Sequence, residues 1–166
     1  MARVYVFGSA SLISLPDNVR LLLQNLVNQG AEFYIGDNST VDVEIQKYLS
    51  CIGVAKTSTL VTLESAKNNK YNLKERVYTL EFNEDLKEAK IINPDTKEVE
   101  VIIPNVDSIE EARQNKFYKD FIKHTLIKES DFVLCLYDGV TKNTMATMEF
   151  VYKCNKPNYI YKLVKA

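Results

Sequence analysis

The chain has 166 residues and a mass of 19.0 kDa, enough for one compact domain and short of two. Hydrophobic residues make up 46% and charged residues 26%, a mix that excludes disordered and fibrous architectures. A net charge of -1 with a pI near 5.9, and no block of Lys or Arg, offers no basic face to nucleic acid, which is not an expected partner.

Val4 to Phe7 is a short apolar run ending at Gly8, the pattern of a strand buried on both faces of a parallel sheet. The segment Ser9 to Leu15 reads as a loop, Pro16 suits a first helical turn, and Val19, Leu22, Leu23, Leu26 and Val27 follow at helical spacing up to Gly30. Phe33-Tyr34-Ile35 predicts a second strand closed by Gly36-Asp37. Ser39 is placed to cap a helix carrying Ile45, Tyr48, Leu49 and Ile52, which Gly53 ends. Leu60 to Leu63 is a third strand.

Residues 64 to 107 break the alternation of strand and helix. Ala66 to Lys74 reads as polar loop and Arg76 to Phe82 as a half-exposed strand. Lys90 to Asn93 and Val99 to Ile103 form an expected hairpin across Pro94-Asp95-Thr96-Lys97. Ser108-Ile109-Glu110-Glu111 is a capping box opening a helix to about Lys128. Phe132 to Tyr137 is the most apolar strand and ends at Asp138-Gly139. The loop Val140 to Asn143 leads into a helix bearing Met145, Met148, Val151 and Tyr152, which stops before Pro157, and Tyr159 to Val164 is a last strand.

This order predicts an α/β fold, a Rossmann-like three-layer sandwich. Its mainly parallel sheet would have about five strands, with helices on both faces. The expected organisation is a single domain over 1–166 with 64–104 as a β-rich insertion. Cys51, Cys135 and Cys154 fit neither a disulfide framework nor a zinc site and read as packing residues in a reducing compartment. With no signal-peptide pattern and no run approaching the ~20 apolar residues of a membrane span, the expected location is the cytoplasm, without a membrane partner.

Only 5 glycines occur where average usage would give roughly a dozen, so each is expected where a larger residue would not fit. Gly8, Gly36 and Gly139 all end a predicted strand just before a loop that enters a helix. Such strand ends share one edge of an open parallel sheet, where ligands bind and helix amino termini favour anions. The expected ligand-binding residues are therefore Gly8, Ser9, Gly36, Asp37, Asp42, Asp138, Gly139, Asn143 and Thr144. Hydroxyl, amide and backbone N–H groups there suit a phosphate, and Asp37 or Asp138 suits a ribose diol or a metal. Helix capping and loop solvation are the competing uses of the same residues. His124 is the single histidine and lies inside a helix, so Ser/His and Cys/His dyads have little to build on. Gly8-Ser9-Ala10 is neither a P-loop nor a dinucleotide fingerprint. No cofactor and no metal is expected.

Several segments together resemble the SLOG superfamily: Val4-Tyr5-Val6-Phe7-Gly8-Ser9, Ile35-Gly36-Asp37 with Asp42, Gln46-Lys47-Tyr48-Leu49, Phe117-Tyr118-Lys119-Asp120, Ser130-Asp131-Phe132, Tyr137-Asp138-Gly139 with Thr144, and Lys156-Pro157. That superfamily includes the lonely-guy phosphoribohydrolases and the DNA-processing protein A domain, and is similar to nucleoside 2-deoxyribosyltransferases. The resemblance covers residues 3 to 62 and 105 to 164. It implies a nucleotide-derived ligand and, in catalytic members, cleavage or exchange of an N-glycosidic bond by a Glu in a Gly-Thr-x-x-Glu pattern. Here Asn143 stands for that glycine and Thr147 for that Glu. Glu149 lies about 200° away around a helix that turns ~100° per residue. Ala10 replaces the Arg of a related Gly-Ser-Arg pattern, and Thr40 stands at another family glycine.

Three readings follow. The first is a binding protein for a nucleotide or nucleotide-derived ligand. The second is an N-ribosyl hydrolase or deoxyribosyltransferase with Asp37, Asp138 or Glu149 as the catalytic carboxylate. The third is an interaction module in which the 64–104 insertion pairs with a partner chain. A homodimer is compatible with all three.

Overall fold

The computed structural model describes residues 2–9, 14–36, 40–63, 69, 71–85, 88–102, 107–108, 111 and 116–162. Asp37 and Ser39 lie outside the described residues, as does most of the loop after Ser9. The strands are β1 (Arg3–Gly8), β2 (Glu32–Ile35), β3 (Thr59–Leu63), β4 (Lys74–Phe82), β5 (Ala89–Ile92), β6 (Val99–Ile102), β7 (Phe132–Tyr137) and β8 (Asn158–Lys162). The helices are α1 (Asp17–Asn28), α2 (Thr40–Cys51), α3 (Lys116–Glu129) and α4 (Lys142–Lys153), with a short 3-10 turn at Ala55–Thr57.

All eight strands form one sheet in the order β6-β5-β4-β3-β2-β1-β7-β8. The six strands from β4 to β8 in that order run parallel, while β5 and β6 are antiparallel. The α/β class and the mainly parallel sheet agree with the pattern of the sequence, but the expected strand number of about five falls short. The difference lies in residues 74–102. β4 pairs in parallel with all five residues of β3, so the hairpin strands join the main sheet and widen it.

Alternation along the central strands divides the core in two. Val4 and Val6 of β1 face α1 and α2, packing with Val19, Leu23, Val41, Ile45 and Leu49. Tyr5 and Phe7 face α3 and α4, packing with Leu126, Ile127, Met148 and Val151. Removing each of these aliphatic side chains from water contributes about 1.5–3 kcal/mol, so the two layers clamp the sheet from both sides. Pro16 is extended (φ -60°, ψ 154°) and precedes α1 instead of entering it. Its carbonyl accepts from the N–H groups of Val19 and Arg20. Two hydrogen bonds of the expected capping box are present, Glu111 N–H donating to Ser108 Oγ (3.1 Å) and the Glu111 carboxylate accepting from Asp107 N–H (3.0 Å). The helix expected to start there is described from Lys116, residues 109–110 and 112–115 lying outside the described residues.

Of the cysteines, Cys135 is fully buried in β7 and Cys154 packs against the α3/α4 core, but Cys51 is exposed at the end of α2. Its expected packing role fails because the buried stripe of α2 runs through Val41, Ile45 and Leu49 and turns away before residue 51. No described helix is long and apolar enough to cross a membrane.

The expectation that every glycine excludes a side chain holds at Gly8 and not at Gly36. A Cβ on Gly8 would lie 2.9 Å from both the Cβ and the carbonyl oxygen of Leu136, whereas one on Gly36 would meet only Asp42 Oδ2 at 3.5 Å. Gly8→Ala is therefore expected to cost about 1–3 kcal/mol, because the clash is with backbone and cannot be relieved by a rotamer. Gly36→Ala should stay within about 0.5 kcal/mol. Urea denaturation of the two variants checks this contrast.

Burial also makes stability depend on alkaline pH. The Cys135 thiol is pushed up to about 12 by burial. The Tyr5 phenol is raised well above its usual value, chiefly by burial and then by the charges of Asp42 and Cys135. The native state holds both protons where the unfolded chain releases them, so stability should fall as pH rises from about 9 to about 12. The urea midpoint should drop across that window, and Cys135→Ala should flatten the slope.

Candidate functional site

The chain runs from β1 outward through β2, β3 and β4 to β6, then returns to place β7 on the other side of β1. The direction of strand addition thus reverses between β1 and β7, and their carboxyl ends lie at the position of the crevice in which open α/β sheets bind ligands. Gly8-Ser9 and Asp138-Gly139 lie at this point. The five-residue parallel register from Val4↔Phe132 to Gly8↔Leu136 carries the two strand ends to the same level.

Ser9 is the centre of a buried hydrogen-bond group. Its backbone N–H donates to Leu136 O (2.9 Å), its Oγ accepts from Asp138 N–H (3.1 Å), and the same oxygen lies 3.0 Å from Thr144 Oγ1. This links β1, the β7 turn and the first turn of α4. Ser9 is 0% and Thr144 4% exposed, so both hydroxyls are engaged within the protein and not displayed at the surface. Asp138 likewise serves its own loop. Its Oδ1 accepts from the N–H groups of Val140 and Thr141 at 2.8 Å, and its Oδ2 accepts from Thr141 Oγ1. Gly139 follows with φ +89°, a left-handed conformation that suits glycine and turns the chain toward α4.

Thr141 occupies the N-cap position of α4 but makes no side-chain cap hydrogen bond to the helix, because its hydroxyl is given to Asp138. The first turn carries no acidic residue and begins at the exposed Lys142 and Asn143. Its N–H groups and partial positive charge thus stand beside a lysine, with the Asp138 carboxylate one loop away. Further into α4 lies Thr147, the residue that the resemblance sets against a catalytic Glu. It is 7% exposed, and its Oγ1 donates to Asn143 O (3.0 Å). Glu149 is exposed and lies about 200° around the helix from the buried Thr147.

On the other side of β1, Gly36 ends β2 and Asp42 lies in the first turn of α2, 7% exposed. Gln46, one turn further, is fully buried and donates from Nε2 to Gly36 O (3.3 Å). Its Oε1 has no hydrogen-bond partner, nor has the buried Thr62 Oγ1. Thr62 lies two residues beyond the Ile35↔Leu60 pair, on the strand face that packs toward α1 and α2. Two polar atoms at the β2/β3 end of the edge therefore retain hydrogen-bonding capacity, which buried groups rarely do. Sequence reasoning passed over Gln46 and Thr62 because a polar residue within a helical or strand pattern reads as solvent-facing. Gln46 stood out only within the Gln46-Lys47-Tyr48-Leu49 segment of the resemblance, and Thr62 shares its strand face with the apolar Leu60. Asp37, the remaining residue of the expected site, lies outside the described residues.

His124 stands away from this edge, its ring stacked on Phe150 at 3.8 Å between centroids. Among the described residues no group of three His, Cys, Asp or Glu could hold a metal ion. No family model matches the chain, and neither the curated proteins nor the solved structures contain a match.

Ser9→Ala should cost about 1–3 kcal/mol, because it leaves the Asp138 N–H and the Thr144 hydroxyl without their partner in a buried setting. A double-mutant cycle with Thr144→Val should show a coupling of about 0.5 kcal/mol or more, measured by chemical denaturation.

Proposed function

We propose that the chain binds a nucleotide or nucleotide-derived ligand at the carboxyl edge of its sheet, in the manner that the resemblance to the Rossmann-like SLOG superfamily implies. The observation that carries this reading is the α4 amino terminus. It lies at the reversal point between β1 and β7, is left uncapped by Thr141, and has Lys142 as its first residue. Uncapped N–H groups next to a cation suit an anion such as phosphate. The Asp42 carboxylate, in the first turn of α2 on the other side of β1, suits the hydroxyl groups of a sugar, so donors and acceptor together match a sugar phosphate better than a simple anion or a simple sugar.

The reading is one of binding without the family's usual catalysis. Thr147 holds the catalytic position and gives its hydroxyl to the helix backbone. An oxocarbenium-like centre needs a carboxylate close to the anomeric carbon, and Glu149 is exposed, about 200° around the helix from Thr147.

Calorimetric titration with nucleoside monophosphates, cyclic nucleotides and ADP-ribose derivatives tests the proposal. At least one should bind, and Lys142→Glu should weaken that binding roughly tenfold or more, equivalent to about 1.4 kcal/mol. The same substitution should leave stability unchanged or raise it by about 0.3–1 kcal/mol, since a carboxylate in a first helical turn is favourable. Absence of binding across the panel, or unchanged affinity in Lys142→Glu, would overturn the assignment. Release of free base from nucleosides that survives Asp37→Asn, Asp138→Asn and Glu149→Gln together would sink the carboxylate-catalysed alternative.

A further inference from the structure

The far end of the sheet carries a second feature, independent of the ligand edge. β6 is the outermost strand, and no described strand pairs with its outer side. The hydrogen bond from Asn93 N–H to Glu98 O (2.9 Å) sets the phase of the β5–β6 ladder. In the β5–β6 register, Ile91↔Glu100 and Ala89↔Ile102 are then the hydrogen-bonded pairs, and the N–H and C=O groups of Val99 and Val101 point away from β5. These are the groups that an added strand would use.

The two faces beside this edge differ in chemistry. Val99 and Val101 are 52% and 55% exposed and project on the side opposite α3, in line with Ile92 and Lys90 of β5. Glu100 projects on the α3 side with its register partner Ile91. There, Glu98, Glu100 and Glu129 help to line a cavity of about 280 Å³ between the strands and the end of α3. Glu129 is held in place by Arg76 Nη1 (2.8 Å) and by the Tyr78 hydroxyl, which donates to it at 2.7 Å. The cavity's one lysine, Lys128, has its ammonium 5.9 Å from the centre of the Phe150 ring.

We propose that β6 is a docking edge for an extended segment of a partner protein in which β-branched apolar residues alternate with Lys or Arg. Added antiparallel to β6, such a segment sets one row of side chains beside Val99 and Val101 and the other row beside Glu98 and Glu100, over the acidic cavity. Main-chain hydrogen bonds supply affinity and the alternate side chains supply selectivity, as in other strand-addition complexes. Charge decides against a second copy of this chain. The antiparallel register that overlaps residues 98–102 of both copies places Glu100 opposite Glu100, and the one that sets Val99 opposite Val99 places Glu98 opposite Glu100; like charges directly across a ladder are destabilising.

The test uses the full chain and a fluorescent acetylated peptide of alternating Val and Lys, with a Val/Glu peptide as control, read by anisotropy. Saturable binding of the Val/Lys peptide, weaker by roughly tenfold or more for the control, is expected. Val101→Pro removes an outward N–H without removing a bond to β5, a substitution that edge strands tolerate, and it should abolish binding while circular dichroism stays unchanged. The double substitution of Glu98→Lys and Glu100→Lys changes exposed residues only and should exchange the preference toward the Val/Glu peptide, which keeps the idea testable if the proline variant does not fold. Failure of the Val/Lys peptide to bind, equal binding of both peptides, or an unchanged preference in the double variant would overturn the proposal. So would self-association of the wild-type chain, in sedimentation, that Val101→Pro reverses.

Discussion

The contact on which the molecule turns is the close approach of β1 to β7 at Gly8. There the absent side chain lets two parallel strand ends lie so near that a single carbon would strike the Leu136 backbone. That approach lets the Ser9 amide reach Leu136 O and its hydroxyl reach both the Asp138 amide and Thr144. The start of α4 is thereby fixed against β1, although 135 residues separate Ser9 from Thr144 in the chain. The geometry of the crevice follows from this seam.

The same seam decides which polar groups remain for a ligand. Ser9, Thr144 and Asp138 are the residues a sequence reader would assign to phosphate or sugar, yet their oxygens are largely taken up in building the crevice. What is left to offer is backbone: the amides of a helix turn whose cap residue is occupied elsewhere. Side chains in this arrangement position the main chain, and the main chain faces the crevice. Substitution of the supporting hydroxyls is therefore read first as a change in stability, and substitution of Lys142 as a change in binding.

Much of the architecture was legible in the residues because the signals were local. The apolar runs Val4 to Phe7 and Phe132 to Tyr137, the helical stripe of α1, and the turn at Pro94 to Lys97 each state their element without reference to the rest of the fold. Sheet membership is a non-local property. Nothing in Arg76 to Phe82 says that the strand joins β3 in parallel instead of pairing only within its hairpin, so strands β4 to β6 were legible as strands and not as an extension of the sheet. In the candidate site, Gly8 and Gly139 declared themselves through composition and position. Gln46 and Thr62 did not, because their burial depends on the packing of α2 over the ends of β2 and β3.

The hydrogen-bonding ladders are uneven across the sheet. β1 with β7, β7 with β8, and β3 with β4 each align five residue pairs, while β2 and β3 align only Tyr34↔Thr59 and Ile35↔Leu60 among the described residues. Arg76 of β4 reaches across this narrow join, its guanidinium carbon 5.3 Å from the centre of the Tyr34 ring on β2, and is anchored from the far side by Glu129 and Asp95. Main-chain pairing is thus sparsest between β2 and β3, and a cationic side chain lying on an aromatic ring ties the outer strands to the crevice strands at that join.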